Sequence, residues 1–208
     1  MNKKLGIMGG TFDPIHVGHL MIAESVREAL SLDEVLFIPS NNPPHKNKTD
    51  ISENALRLEM VRLATADNPY FTAADIEIKR EGKTYSLDTL TLLAEQYGSE
   101  TELVFIIGAD TVWELENWYK FKEVFKLCTF AAVSRPGYGK ARLKKRIEYL
   151  KAEYNAQINL VNAPVIEISS TDIRKKVAAG ESIMYLVPDS VGNYIAENKL
   201  YKRCLIDN

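Results

Sequence analysis

Four short apolar runs, separated by segments of helical period, leave this chain few folds to choose from. The runs are Leu5-Gly6-Ile7-Met8, Val35-Leu36-Phe37-Ile38, Leu103-Val104-Phe105-Ile106-Ile107 and Phe130-Ala131-Ala132-Val133. They are apolar throughout instead of alternating, the pattern of strands covered on both faces, as in a parallel sheet. Asp75-Ile76-Glu77-Ile78 alternates strictly, and a strand there is expected nearer an edge. Between the runs, residues 19–30 place Leu20, Ala23, Val26 and Leu30 on one side of a helix. Residues 54–66 do the same with Leu56, Met60, Leu63 and Ala64. Residues 86–97 open on Ser86 and stop before Gly98, and residues 171–179 stop at Gly180, as helices often do. The order predicts an α/β fold, a doubly wound and mostly parallel sheet with right-handed crossovers. At 208 residues the chain suits one domain, 1–208, with a small C-terminal helical part at about 169–208.

A formal net charge of −2 gives no reason to expect wrapping of nucleic acid or attraction to an anionic membrane. The apolar stretch after Met1-Asn2-Lys3-Lys4 is too brief for a signal peptide, and no run approaches the ~20 apolar residues of a membrane span. Cys128 and Cys204 lie far apart, with no metal or redox spacing. Reduced thiols in a cytoplasmic protein are the expectation. A basic segment, 140–154, carries Arg142, Lys144, Lys145 and Arg146 and reads as a solvated helix face; its role stays open.

The chemistry concentrates in Gly9-Gly10-Thr11-Phe12-Asp13-Pro14-Ile15-His16-Val17-Gly18-His19, between the first strand and the first helix. Ligands of open α/β sheets bind outside the carboxyl ends of the strands, so the position is informative. Gly9 and Gly10 let the backbone approach a ligand closely, and Gly18 keeps backbone N–H groups near the helix start open to an anion. His16 and His19 share a face if the first turn is helical. Two imidazoles at a helix N-terminus make a phosphate clamp, whereas a zinc site would want a third nearby ligand. The glycines fit neither G-x-G-x-x-G nor G-x-x-x-x-G-K, which argues against a dinucleotide-binding dehydrogenase.

This segment resembles the T-F-D-P-x-H-x-G-H signature of the nucleotidyltransferase superfamily, whose H-x-G-H is similar to the H-I-G-H of class I aminoacyl-tRNA synthetases. The resemblance implies a Rossmann-like nucleotidyltransferase fold. It also implies that His16 and His19 contact the triphosphate and stabilise charge at the α-phosphate, with Gly9, Gly10, Thr11, Phe12 and Gly18 binding the nucleotide. Ile168-Ser169-Ser170-Thr171-Asp172-Ile173-Arg174 is, by itself, a helix cap. It also resembles the superfamily's I-S-S-T-x-I-R, which implies that Ser170, Thr171 and Arg174 face the β- and γ-phosphates.

Further segments resemble the nicotinate-nucleotide adenylyltransferases. Pro43-Pro44-His45-Lys46 is similar to their P-P-H-K, implying that Lys46 reaches phosphate. Thr84-Tyr85-Ser86-Leu87-Asp88-Thr89 is similar to [ST]-Y-[ST]-x-D-T, implying that backbone near Thr84 and Tyr85 meets the pyridine carboxylate. Gly108-Ala109-Asp110 and Ser134-Arg135-Pro136-Gly137 match the segments that border adenosine, giving roles to Gly108, Asp110 and Arg135. Trp118-Tyr119 matches a pair that stacks on pyridine, although a Trp packed on the core is the plainer reading. The resemblance implies transfer of AMP from ATP to nicotinate mononucleotide, a step of NAD biosynthesis, with Mg²⁺ carried by ATP and no dedicated metal site. Nicotinamide mononucleotide or phosphopantetheine would be alternative acceptors, although the pantetheine enzymes carry T-x-G-H. A non-catalytic nucleotide-binding regulator is the alternative of another class.

Overall fold

The computed structural model describes residues 3–41, 51–134, 140–164 and 166–202. Lys46, Arg135 and Cys204 lie outside them. Six strands form one parallel sheet: β1 (Lys4–Gly10), β2 (Glu34–Pro39), β3 (Phe71–Ala73), β4 (Glu102–Gly108), β5 (Thr129–Ser134) and β6 (Ile158–Asn162), in the order β3-β2-β1-β4-β5-β6. The helices are α1 (Val17–Leu30), α2 (Asn54–Thr65), α3 (Ser86–Tyr97), α4 (Phe121–Leu127), α5 (Lys140–Tyr154), α6 (Ser170–Ala178) and α7 (Asp189–Glu197). Two 3₁₀ turns, Ala109–Trp113 and Leu115–Asn117, join β4 to α4.

The apolar runs are continuous because successive residues serve opposite faces. Leu36 and Ile38 join Leu90 and Leu93 of α3, Phe125 of α4 and Leu150 of α5 in one buried layer. Val35 and Phe37 join Val26 of α1, Met60 of α2, Ile173 of α6 and Val191 of α7 in the other. The doubly wound expectation therefore holds, and every strand pair in the described sheet is parallel.

Asp75–Ile78 is not a strand. The ladder with β2 covers only Phe71–Ala73, and the chain then turns, with Lys79 N–H donating to the Asp75 carbonyl at 3.0 Å. The alternation has another cause: Ile76 packs on the core while Glu77 faces a cavity. Neither β6 nor α4 is foreshadowed by the sequence pattern, and α7 falls within the expected C-terminal helical part without being marked individually. In β6, an edge strand, the exposed polar Asn159 and Asn162 interrupt the apolar run.

Candidate active site

The strand order reverses direction at β1, whose neighbours are β2 and β4. At that switch point a cavity of about 820 Å³ opens above Gly9, Gly10 and Gly108. Its volume lies toward the upper end of the ~300–1,000 Å³ usual for small-molecule sites. The starts of α1 and α6 wall it on one side, and Thr84 and Trp118 on the other.

His16 is the N-cap of α1, with extended backbone (φ −143°, ψ 167°), and His19 is in the first turn. Their rings stack at 3.7 Å between centroids. The His16 N–H donates to Nδ1 of His19 at 3.2 Å, which leaves the proton of a neutral His19 on Nε2, as a donor. Burial holds His16 down at about 4, and burial plus the neighbouring His16 ring holds His19 down at about 3, so both are neutral near pH 7. Gly18 packs closely on His16: a Cβ there would stand 3.1 Å from Nδ1, so the imidazole would have to shift by a few tenths of an ångström.

Thr11 lines the cavity, but the Phe12 ring does not face it. Phe12 is 2% exposed, at φ +49°, and its ring meets His19 edge-on at 5.1 Å. A Cβ on Gly10 would come within 2.9 Å of that ring. Phe12 thus props the histidine pair from the core side, where burying an apolar ring is favourable.

Ser169 caps α6 by accepting the Asp172 N–H at 3.1 Å, as its sequence predicts. Ser170 and Thr171 then occupy the first turn, whose unpaired N–H groups favour an anion. Both line the cavity with Arg174. Arg174 donates to the Asp13 carbonyl at 2.8 Å, and Ser170 Oγ to the Pro14 carbonyl at 2.8 Å, so α6 is fastened to the loop that carries the histidines. The Asp13 carboxylate, 3% exposed, accepts the Tyr201 hydroxyl at 2.7 Å and the Ser52 N–H at 3.2 Å.

On the opposite wall, Thr84 is buried and Trp118 meets Phe105 and Phe130 edge-on at 5.6 and 6.1 Å. Trp118 is therefore both a core anchor and a cavity wall. Tyr85 and Tyr119 are not on that wall; their rings pack on each other at 4.5 Å. Gly108 and Asp110 line the cavity at its exposed rim.

Several contributors carry no motif in the sequence. Arg57, fully buried, donates to the carbonyls of Thr11 (2.6 Å), Ser40 (2.7 Å) and Ser52 (3.0 Å) and to Asn54 Oδ1 (2.5 Å). From Asn54 the chain of bonds continues through Asn41 to the Arg80 carbonyl, and Arg80 pairs with Asp88 at 2.7 Å. One polar network therefore joins the glycine-rich loop to the start of α3. Helix α5 contributes from the far side of the rim. Its Arg146 pairs with Glu116, Tyr154 donates to Glu116 at 2.7 Å, and Arg142 lies over the Trp113 ring at 4.8 Å. These contacts pin the connection between Asp110 and Trp118.

Among the described residues no group of three or more His, Cys, Asp or Glu is arranged to hold a metal ion, and no helix is long and apolar enough to cross a membrane.

A profile of the cytidylyltransferase-like family matches residues 7–176. A protein of Thermoanaerobacter sp. (strain X514) named "Probable nicotinate-nucleotide adenylyltransferase" is 47% identical over 200 residues, covering 96% of this chain and 95% of the relative. One of Oceanobacillus iheyensis with the same name is 45% identical over 199 residues, covering 96% and 97%. Among solved structures, Plasmodium falciparum nicotinic acid mononucleotide adenylyltransferase complexed with NaAD superposes with a TM-score of 0.76 at 20% identity, covering 96% of this chain and 97% of that one. The same enzyme complexed with APC gives 0.75 at 19%, which establishes likeness of fold.

Proposed function

The chain belongs to the cytidylyltransferase-like family, and from that premise we propose that it transfers the adenylyl group of ATP to nicotinate mononucleotide. The products are nicotinate adenine dinucleotide and pyrophosphate. The observation that carries this reading is the meeting, in one cavity, of a stacked histidine pair at one helix start, the capped start of a second helix, and an opposite wall with Thr84 and Trp118.

The 5′-phosphate of the acceptor attacks the α-phosphorus in line. A bond forms from its oxygen to phosphorus as the bond to the β-phosphate oxygen breaks, and pyrophosphate departs. The nucleophile is already anionic near neutrality, so no general base is needed, and catalysis rests on positioning and charge stabilisation. His19 donates from Nε2 to a phosphate oxygen, and His16 stands beside it. The first-turn N–H groups of α6 and the Arg174 guanidinium bind the departing phosphates, Arg supplying a planar fork with permanent charge. We assign Lys46 to the phosphates and Arg135 to the adenine border on the resemblance of their segments alone.

Mg²⁺ fits as part of the Mg·ATP substrate, held mostly by phosphate oxygens and water, where it offsets phosphate charge. The cavity's carboxylates agree with that division: Asp13 is bound by Tyr201 and Ser52, Glu77 by threonine hydroxyls, and Asp110 stands on the rim.

Pyrophosphate release from Mg·ATP, with nicotinate mononucleotide, nicotinamide mononucleotide and phosphopantetheine supplied separately, tests the assignment. Preference for the nicotinate compound is the expected result, and preference for either of the others would overturn the acceptor. Removing a transition-state donor costs about 10²–10³ in turnover, so His19→Ala should lose at least that with its circular dichroism unchanged. Near-normal turnover would remove His19 from the mechanism.

A further inference from the structure

One carboxylate on the acceptor side of the cavity has no part in the transfer step. Glu77 stands in the turn after β3, on the cavity wall and largely out of solvent. Burying a carboxylate is costly unless hydrogen bonds compensate. Here Thr89 Oγ1 donates to Oε1 at 2.8 Å, and the Thr84 hydroxyl donates as well. Both threonines are themselves buried, at 1% and 8% exposure. Among the described residues, the charged groups that act on Glu77 are Arg80 and Asp88, and these two are paired with each other at 2.7 Å. Glu77 is thus anchored to hydroxyls instead of a cation.

The two hydroxyls bracket a weak point. Helix α3 begins at Ser86, and its N-cap, Tyr85, makes no side-chain capping bond. A helix start without a cap leaves its first N–H groups unpaired and its entry loosely held. Thr84 lies just before that start and Thr89 in the first turn, so a group bound to both spans the entry from outside. Glu77 is that group.

We propose that Glu77 is a positioning residue of the acceptor subsite: by holding the Thr84 and Thr89 hydroxyls it fixes the Thr84-Tyr85-Ser86 backbone against the pyridine substituent of the acceptor. The inference rests on the functional reading above. It makes Glu77 specific to one of the two substrates, because the ATP side is built by α1, α6 and the glycine-rich loop, none of which Glu77 bonds.

The test compares wild type, Glu77→Ala, Glu77→Gln and Thr89→Val in steady-state kinetics with both substrates, alongside calorimetric binding of ATP to each. In Glu77→Ala the KM for nicotinate mononucleotide should rise about tenfold or more, the loss expected when a buried hydrogen-bonded pair is broken. ATP affinity should stay within about twofold, and kcat should change little. Gln keeps the length and one acceptor oxygen, so Glu77→Gln should recover most of the acceptor affinity. Thr89→Val, which removes one of the two donors, should shift the acceptor KM in the same direction by less, and it carries the test if Glu77→Ala fails to fold. An unchanged acceptor KM, an equal rise in both KM values, or a Gln variant as impaired as the Ala variant would each overturn the proposal. Wild type that turns over only a different acceptor would instead refute the functional reading, and Glu77 would then be judged with that acceptor.

Discussion

Burial, more than any charged neighbour, sets the state of the two histidines. Their folded pKa values, about 4 for His16 and about 3 for His19, lie below the ordinary 6.5. Between those values and 6.5 the unfolded chain binds more protons than the folded one, so their contribution to stability is whole above pH 6.5 and is lost as pH falls. At pH 5.5 the loss should be on the order of 1 kcal/mol per histidine. Thermal melts of the ligand-free protein should therefore show a lower midpoint at pH 5.5 than at pH 7, and His16→Asn/His19→Asn should flatten that dependence. A slope unchanged in the double variant would mean that other groups carry it. These two residues are legible in the sequence because their motif is compact, eleven residues that a strand and a helix bring to a single point. Arg57 is not. It reads as one polar position on an amphipathic helix, and only the fold shows its guanidinium satisfying three carbonyls from two loops.

Helix α5 shows the same contrast one level up. Its extent, 140–154, is legible from composition, but its use is not, because Glu116, the partner of Arg146 and Tyr154, is 30 and 38 residues away. The helix does present a solvated basic face, as its charge implies, yet two of its residues grip the connection that carries Asp110 toward Trp118. Glu116→Ala should loosen that connection. The expected outcome is a rise of a few-fold in the KM of both substrates and a drop of a few degrees in melting temperature, modest because partly exposed ion pairs contribute at most about 1 kcal/mol. Kinetics and melts on the same preparation would check it, and an effect on one substrate alone would contradict it. The strand expected at Asp75–Ile78 fails for a physical reason. A two-residue alternation reports which side chains are buried, and a turn can bury Ile76 and Glu77 as readily as a pleat can. Elements whose burial is two-sided read well, whereas β6, an edge strand with two exposed asparagines, gives too weak a signal.

Across the whole molecule, the site depends on contacts of very long range. Arg174 reaches back 161 residues to Asp13, Ser170 reaches 156 to Pro14, and the Tyr201 hydroxyl reaches 188 to the Asp13 carboxylate. Tyr201→Phe would leave that carboxylate oxygen without its donor, at a cost of about 1–3 kcal/mol. The variant should unfold at lower denaturant and lose turnover with a largely unchanged ATP KM. Wild-type stability and turnover would show that the bond is incidental. The span of this bond also sets a schedule. At roughly 5–20 residues per second, synthesis reaches Tyr201 about 10–40 s after Asp13 has been made. The strands β2 to β6 are synthesised in that interval, after β1, and the glycine-rich loop has its neighbours well before it has its fastener. A chain that stops after β6 thus has every strand of the described sheet but an unlocked catalytic loop, and competence waits for Tyr201.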